Sequence, residues 1–552
     1  MKRLRITFFF YLFILILPNI ALCFTEHLTT AEYISLILFP LSVYWLLLTS
    51  VRKMSAVYLY LFPLLFLGAF QIVLLYIFGA GCISVDMWLN LVTTNTSEVN
   101  KLLSQLLPSI VAVIIIYVPS LIYASIAVYR KEMLPQSECI KQRKIGGVLL
   151  LLSICSLGIS STDEDFHIEH SVFPLNALYN CKLAINRQIT TNHYVEKVAP
   201  FQFGATDNEQ NDSSKIVVLV IGETSRACNW SLNGYQRNTN PLLSKEPRLL
   251  VYRDCMSQSN TTHKSVPIML SPASAENYNL LYRTKGVLAA FREAQYYTAF
   301  YSNQQPNNSF IDFLGNEAHE KRYTGEDHQV TKYDGVLLSH LDKIIQKKPG
   351  NLFVVLHTYG SHFNYSERYP KSFSYFKPDS NCNAKKSNRA ELINAYDNSI
   401  RYIDYFLSEI ISKLKNSKRS AAMLYLSDHG EDIFDDEHAS FLHASPKPTY
   451  YQLHIPFLIW TSTAFGEKHP LEQQNLSSHR SFAIGSDCVF HTLLGLGGVN
   501  TTFRNDSLSL TNRLFYPKKR HYINDHNEPM GFDKCFDALD RKMIKQHKLR
   551  NE

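Results

Sequence analysis

Over the first 160 residues long uncharged runs alternate with short polar loops, and beyond Ser160 apolar residues come only in short bursts between charged ones. The apolar blocks run roughly Ile6 to Phe24, Tyr33 to Val51, Val57 to Ala80, Ile110 to Tyr129 and Ile145 to Ser160. Each is near the length a helix needs to cross a bilayer core of about 30 Å, so the pattern predicts five membrane spans. The fifth is the shortest, and four spans is the competing count, which leaves the Ile145 block without a role. The first block reads as a retained helix. Its apolar run outlasts a signal-peptide core, and Ala21-Leu22-Cys23 makes a poor small-x-small cleavage site.

Downstream the periodicity changes. His170 to Arg187 is amphipathic, as in a helix on a membrane surface or an ordinary docking helix. Asp207 to Ser214 is a polar linker. Strand-like runs follow at Ile216 to Ile221, Tyr296 to Tyr301, Leu352 to His357, Ala421 to Ser427 and Ile455 to Thr461. Helical patterns lie between or after them at Val287 to Glu293, Val336 to Ile345, Ala390 to Leu414 and Cys488 to Leu496. Continuous apolar strands alternating with helices predict a mainly parallel sheet covered by helices on both faces. The expected organisation is α/β: a five-helix transmembrane domain (1–162), a linker with a membrane-surface helix (163–214), and a catalytic domain (215–552).

Charge changes the picture by setting direction. Lys2, Arg3, Arg5, Arg52, Lys53, Arg130, Lys131, Lys141, Arg143 and Lys144 fall on one side of the predicted spans, and only Lys101 on the other. This positive-inside pattern places the N-terminus in the cytoplasm and everything past the fifth span outside it. The same residues absorb the formal net charge of +7. The outer domain is left near neutral, which excludes the basic face a nucleic-acid partner needs. Of ten cysteines, Cys181, Cys228, Cys255, Cys382, Cys488 and Cys535 fall in the outer domain, in a compartment that permits disulfides. Their spacing does not reveal a pairing.

Candidate chemistry gathers where strands end. Ile216 to Ile221 runs into Gly222-Glu223-Thr224-Ser225-Arg226, Ala421 to Leu426 into Ser427-Asp428-His429-Gly430-Glu431-Asp432, and Leu352 to Leu356 into His357, with Gly360, Ser361 and His362 just beyond. Ligands of such sheets bind at the carboxyl ends of strands. Carboxylate oxygens beside imidazole nitrogen suit Zn²⁺ or Mn²⁺. Singly, Gly-Glu-Thr reads as a helix cap and Asp-His-Gly as a turn; their joint placement favours a metal site. Ser257 to Pro267 is rich in hydroxyls. It reads either as a loop capping the next helix or as the source of a nucleophile activated by a cation.

The string VVLVIGETSRACNWSLNGYQRNTNP resembles the opening signature of the bacterial phosphoethanolamine transferases, inner-membrane enzymes with a periplasmic catalytic domain of the alkaline phosphatase superfamily. SNTTHKSVPIMLS, LHTYGSHFNYSERYP, NAYDNSIRYIDYFL and YLSDHGED followed by FLHASP match in the family's order. The resemblance implies an alkaline-phosphatase-like catalytic domain, Thr262 as nucleophile, and zinc held by Glu223, Thr262, Asp428 and His429. His362 and His443 would be further active-site histidines. It also implies a two-step exchange. Thr262 attacks the phosphate of phosphatidylethanolamine and releases diacylglycerol, and a glycan acceptor, lipid A or the lipopolysaccharide core, then takes the phosphoethanolamine. Glu431 is either a group orienting a ligand or a solvated turn carboxylate.

Three departures bear on the acceptor. Gln258 and Ile268 stand where many lipid A-modifying members carry a flanking cysteine pair, and Ser259-Asn260 replaces the family's Gly-Thr pattern. The stretch from His429 to His443 is long, with His438 an alternative to His443. Competing readings are a glycerol-phosphate polymerase of the lipoteichoic-acid type and a non-catalytic member of the superfamily. A sulfatase activity lacks the Cys-x-Pro-x-Arg context it would need.

Overall fold

The computed structural model describes residues 2–550 except 27, 79–80, 94–95, 164–165, 208–213, 325–332, 382 and 436–439, with backbone alone at 77–78, 90–93 and 96–106. It divides into two compact units, Met1–Gln188 and Ile189–Glu552.

The first unit is helical: α1 (Lys2–Thr25), α2 (Thr30–Leu48), α3 (Met54–Tyr60), α4 (Phe62–Phe78), α5 (Val85–Thr93), α6 (Thr96–Tyr129) and α7 (Gln136–Ser160). Among the described residues α1, α2, α7 and the 107–129 part of α6 are each long and apolar enough to cross a membrane. The block expected as a third straight span is instead broken. The α3–α4 pair passes the same test only jointly and bends by 59°. Pro63 supplies the cause, since it lacks an N–H and its ring clashes with the carbonyl four residues back. Among the described residues four helices are therefore long and apolar enough to span, or five if the bent pair counts as one. A capping box starts α2, with Thr29 and Glu32 each taking the other's backbone N–H.

Three of the basic clusters meet at one end of this unit. Arg3 pairs with Glu132 at 2.5 Å and Arg5 with Glu138 at 2.6 Å. Arg52 Nε donates to the Leu134 carbonyl at 2.9 Å, and Arg143 to that of Thr49 at 2.6 Å.

The second unit is built on seven strands: β1 (Ile216–Gly222), β2 (Leu249–Tyr252), β3 (Tyr297–Ser302), β4 (Glu320–Tyr323), β5 (Leu352–His357), β6 (Ala421–Ser427) and β7 (Phe457–Thr461). Their order across the sheet is β2-β7-β6-β1-β5-β3-β4. Five neighbouring strands are mutually parallel, and β7 runs antiparallel to both its partners. Two strands were not anticipated. The first, β2, is a short apolar run, and β4 (Glu-Lys-Arg-Tyr) is polar because it is an edge strand with little to bury.

Alternation along β1 feeds two cores. Val217, Leu219 and Ile221 join Val266 and Leu270 of α8 (Thr262–Leu270), Phe291 of α9 (Val287–Glu293), Leu314 of α10 (Phe310–Gly315) and Leu493 of Cys488–Leu496. Ile216, Val218 and Val220 join Leu341 of α11 (Val336–Lys347) and Ile403 and Leu407 of α12 (Arg389–Asn416). Each such side chain contributes about 1.5–3 kcal/mol on burial, so the sheet is fixed from both sides and its strand ends are held still.

The amphipathic stretch forms helix Leu175–Asn192, with Leu178, Ile185 and Ile189 exposed. Asp207, expected in the linker, instead pairs with Val499 in a two-stranded antiparallel ladder. The nine described cysteines are all free, and Cys382 lies outside the described residues.

Candidate active site

The register between β1 and β6 creates the centre. Gly222 pairs with Ser427 in parallel, so the next residue on each chain, Glu223 and Asp428, leaves the sheet side by side. Ligand atoms of Glu223, Asp428 and His429 all lie within 4.8 Å of one another, and all three residues are buried. His429 Nε2 stands 3.6 Å from Glu223 Oε1 and 3.2 Å from Asp428 Oδ2. Its Nδ1 lies 2.8 Å from the Gly430 carbonyl, which fixes Nδ1 as the protonated nitrogen and leaves the Nε2 lone pair facing the cluster. Asp428 Oδ1 takes the backbone N–H groups of Thr224 and His429 at 3.0 and 2.7 Å.

Thr262 enters from the first turn of α8. Its hydroxyl lies 3.1 Å from His429 Nε2 and 3.4 Å from each Glu223 oxygen. Two serines pin that helix to the end of β6. Both Ser257 and Ser265 donate to the Asp428 carbonyl, at 2.5 and 2.6 Å. Two glycines allow the close packing. Gly360 has φ +51°, and a Cβ there would sit 2.5 Å from the Glu223 carbonyl oxygen. At Gly430 a Cβ would meet the Tyr451 carbonyl at 2.1 Å, so the Asp-His-Gly turn needs glycine for space.

The two further histidines come to the same place. The His443 ring is 4.1 Å from that of His429, and His362 is 6.2 Å from His443. His438 lies outside the described residues. Glu431 is not solvated: it is fully buried, accepts from the Tyr365 hydroxyl, and faces His443 Nδ1 at 3.1 Å. It thus orients His443. Sequence reasoning missed Gln304, whose amide donates to Glu223 Oε2 at 3.0 Å and to the Thr358 carbonyl at 2.9 Å. No local pattern marks it, because it comes from the loop after β3. His357, at the end of β5, turns instead to Ser302, 3.1 Å away.

Burial sets the electrostatics. It pushes Glu223 up to about 8, with the Asp428 charge adding, and Asp428 up to about 7. Burial likewise lowers His429 and His443 to about 4 and His362 to about 3. The imidazoles are thereby neutral and able to offer lone pairs or accept protons. Two carboxylates, a neutral imidazole nitrogen and a hydroxyl converging on one point form the donor set of a four-coordinate divalent cation. The residues fit such an ion.

The sulfatase family model matches residues 215–499, and the chain belongs to that family. Within it, phosphoethanolamine transferase EptA of Salmonella typhimurium (strain LT2) is 33% identical over 304 residues, 53% of this chain and 55% of the relative. The chain thus spans about half the length of the curated relatives it matches. Among solved structures, the integral membrane lipooligosaccharide phosphoethanolamine transferase A (EptA) of Neisseria meningitidis aligns with TM-score 0.71 and 22% identity over 91% of this chain and 97% of that one. The zinc complex of the C-terminal periplasmic domain of EptC from Escherichia coli aligns with TM-score 0.56 and 24% identity over 60% of this chain and 96% of that domain. The chain thus has the fold of a multi-pass membrane protein carrying an alkaline-phosphatase-like domain.

Proposed function

We propose that the protein transfers phosphoethanolamine from phosphatidylethanolamine to a cell-envelope glycan, lipid A or the lipopolysaccharide core, through a phosphoethanolamine-threonine intermediate. The observation that carries this reading is the Thr262 hydroxyl within 3.4 Å of Glu223 and His429. The names of the relatives support the transferred group and, for the Neisseria protein, a lipooligosaccharide acceptor.

Glu223, Asp428, His429 and Thr262 would hold zinc, the ion bound in the complex of the Escherichia coli EptC domain; manganese suits the same donors. When bound, the ion lowers the pKa of the threonine hydroxyl and neutralises phosphoryl charge. The chain's own groups do the rest. Thr262 Oγ forms the bond to phosphorus, and the bond from phosphorus to the glycerol oxygen breaks. His443, neutral and held through Nδ1 by Glu431, takes up the Thr262 proton on Nε2 and passes it to the glycerol oxygen as diacylglycerol leaves. His362, 6.2 Å from His443 between ring centroids, binds a phosphoryl oxygen. In the second step an acceptor hydroxyl attacks phosphorus and gives its proton to His443, which returns it to Thr262 as the Thr262–phosphorus bond breaks. A membrane-anchored enzyme with its N-terminus cytoplasmic and its catalytic unit periplasmic suits a lipid donor.

Peptide mass spectrometry after incubating zinc-loaded protein with phosphatidylethanolamine tests this. An adduct on Thr262, absent in Glu223→Ala, is expected. An adduct only with phosphatidylglycerol would replace this reading with glycerol-phosphate transfer, and no adduct with either lipid would leave a non-catalytic protein.

A further inference from the structure

The loop that leaves β3 carries Gln304 against Glu223 and then, two residues later, forms the rim of a cavity of about 450 Å³. Its walls include Pro306, Asn308, Asp312, Asn316, Lys321 and Tyr323. We propose that this cavity seats a sugar of the acceptor glycan, an inference that rests on the transfer reaction above.

The chemistry of the walls selects the occupant. Asp312 is buried, and its Oδ2 is held by the backbone N–H groups of Asn307 and Asn308 at 2.7 and 2.6 Å. Lys321 Nζ reaches the Asn316 side-chain oxygen at 2.5 Å. An ordered carboxylate, two carboxamides and an ammonium are the groups that hydrogen-bond neighbouring sugar hydroxyls. The Tyr323 ring offers a face for the apolar side of a pyranose. The ammonium also suits an acidic sugar or a sugar phosphate. Arg322 adds a guanidinium to the same wall, so charged and carboxamide side chains outnumber Pro306 and Tyr323, a lining that suits hydroxyls better than acyl chains. A further polar contribution comes from β4, the edge strand: no described strand pairs with its outer side, which leaves backbone groups on offer.

Position agrees with composition. Two residues of extended chain span about 7 Å, so the Pro306 rim lies no more than roughly 15 Å from the Glu223 carboxylate. A sugar at that rim is within reach of the same glycan whose oxygen attacks the phosphorus on Thr262. Such a seat acts in the second half-reaction only.

The test separates the two halves, using the full-length protein with Lys321→Glu and, separately, Asn316→Ala. Both residues are exposed, so the fold is expected to survive. Adduct formation on Thr262 from phosphatidylethanolamine is followed by mass spectrometry, and its discharge by purified lipopolysaccharide in detergent micelles is timed. The expected result is adduct formation within twofold of the unsubstituted protein, with KM for lipopolysaccharide raised about tenfold or more by Lys321→Glu. An unchanged KM overturns the proposal. Equal slowing of both halves also overturns it and assigns the cavity to the donor. Failure of the underlying reaction looks different: the unsubstituted protein then forms no adduct, or forms one that lipopolysaccharide does not discharge.

Discussion

Both units of this chain bury apolar clusters, but only the helical one also turns large apolar side chains outward along its whole length. In the helical unit large apolar side chains face outward, with Phe24 87%, Tyr60 84% and Leu151 66% exposed. Its interior has apolar clusters of its own, Leu12, Leu15 and Leu48 among them, but these are threaded with small polar groups. Ser35 bonds Ser156 and Ser160 at 2.8 and 2.9 Å, Tyr58 bonds Ser120 at 2.7 Å, and Asn19 donates to the carbonyls of Leu36 and Phe173. In the sheet unit the apolar residues of β1 are fully buried, and the polar groups gather at one edge of the sheet, where strands stop. The difference shows what each unit's surroundings supply. Where lipid surrounds the helices, apolar burial offers no driving force, and packing with internal hydrogen bonds holds the unit together. Where water surrounds the sheet, apolar burial holds the fold and confines two carboxylates and one imidazole in a buried cluster, with two half-buried imidazoles beside it.

The sharpest way to break this comparison is at the catalytic edge. Glu223→Ala or Thr262→Ala is expected to lower transfer by about a thousandfold or more while far-ultraviolet circular dichroism stays unchanged. A coincident loss of helicity would mean that the cluster is structural. Gly360→Ala comes next. Its Cβ would meet the Glu223 carbonyl oxygen at 2.5 Å on a left-handed backbone, so metal affinity measured by competition with a chelator should fall about 10–100-fold. Unchanged affinity would show that Glu223 tolerates displacement.

Stability separates the units more directly. Leu219→Ala, in the middle of β1, should cost about 2–5 kcal/mol in denaturant unfolding of the sheet unit. Leu151→Ala, exposed on α7, should move the helical unit in detergent by no more than about 0.5 kcal/mol. Equal costs would refute the contrast between a lipid-facing and a water-facing apolar residue.

A further effect is on pH dependence. Burial depresses His357 from 6.5 to about 4, so the fold favours its neutral form. That contribution is fully present above pH 6.5 and is withdrawn as pH falls towards 4. His357→Gln should flatten the acid side of the stability profile relative to the parent, and a parallel profile would exclude the imidazole as its source.

Much of this architecture is local and was legible along the chain. The apolar runs gave β1, β5 and β6 within one residue, and α9 and α12 matched their periodic patterns closely. Less local features were not legible. The polar run of β4 has no strand pattern because an edge strand has little to bury, and the break between α3 and α4 is masked by unbroken hydropathy. Glu431 read equally well as a solvated carboxylate, since nothing nearby in sequence announces Tyr365 or His443.

The sequence by itself determined which residues leave strands as carboxylates and imidazoles, because strand ends and side-chain alternation depend on neighbours a few positions away. Only the tertiary structure decided that they meet. Thr262 reaches Glu223 across 39 residues of chain and His429 across 167. That meeting depends on the register of β1 against β6 and on two serines gripping one carbonyl. Register and grip are set by packing two cores at once, and no short segment of the chain carries that information.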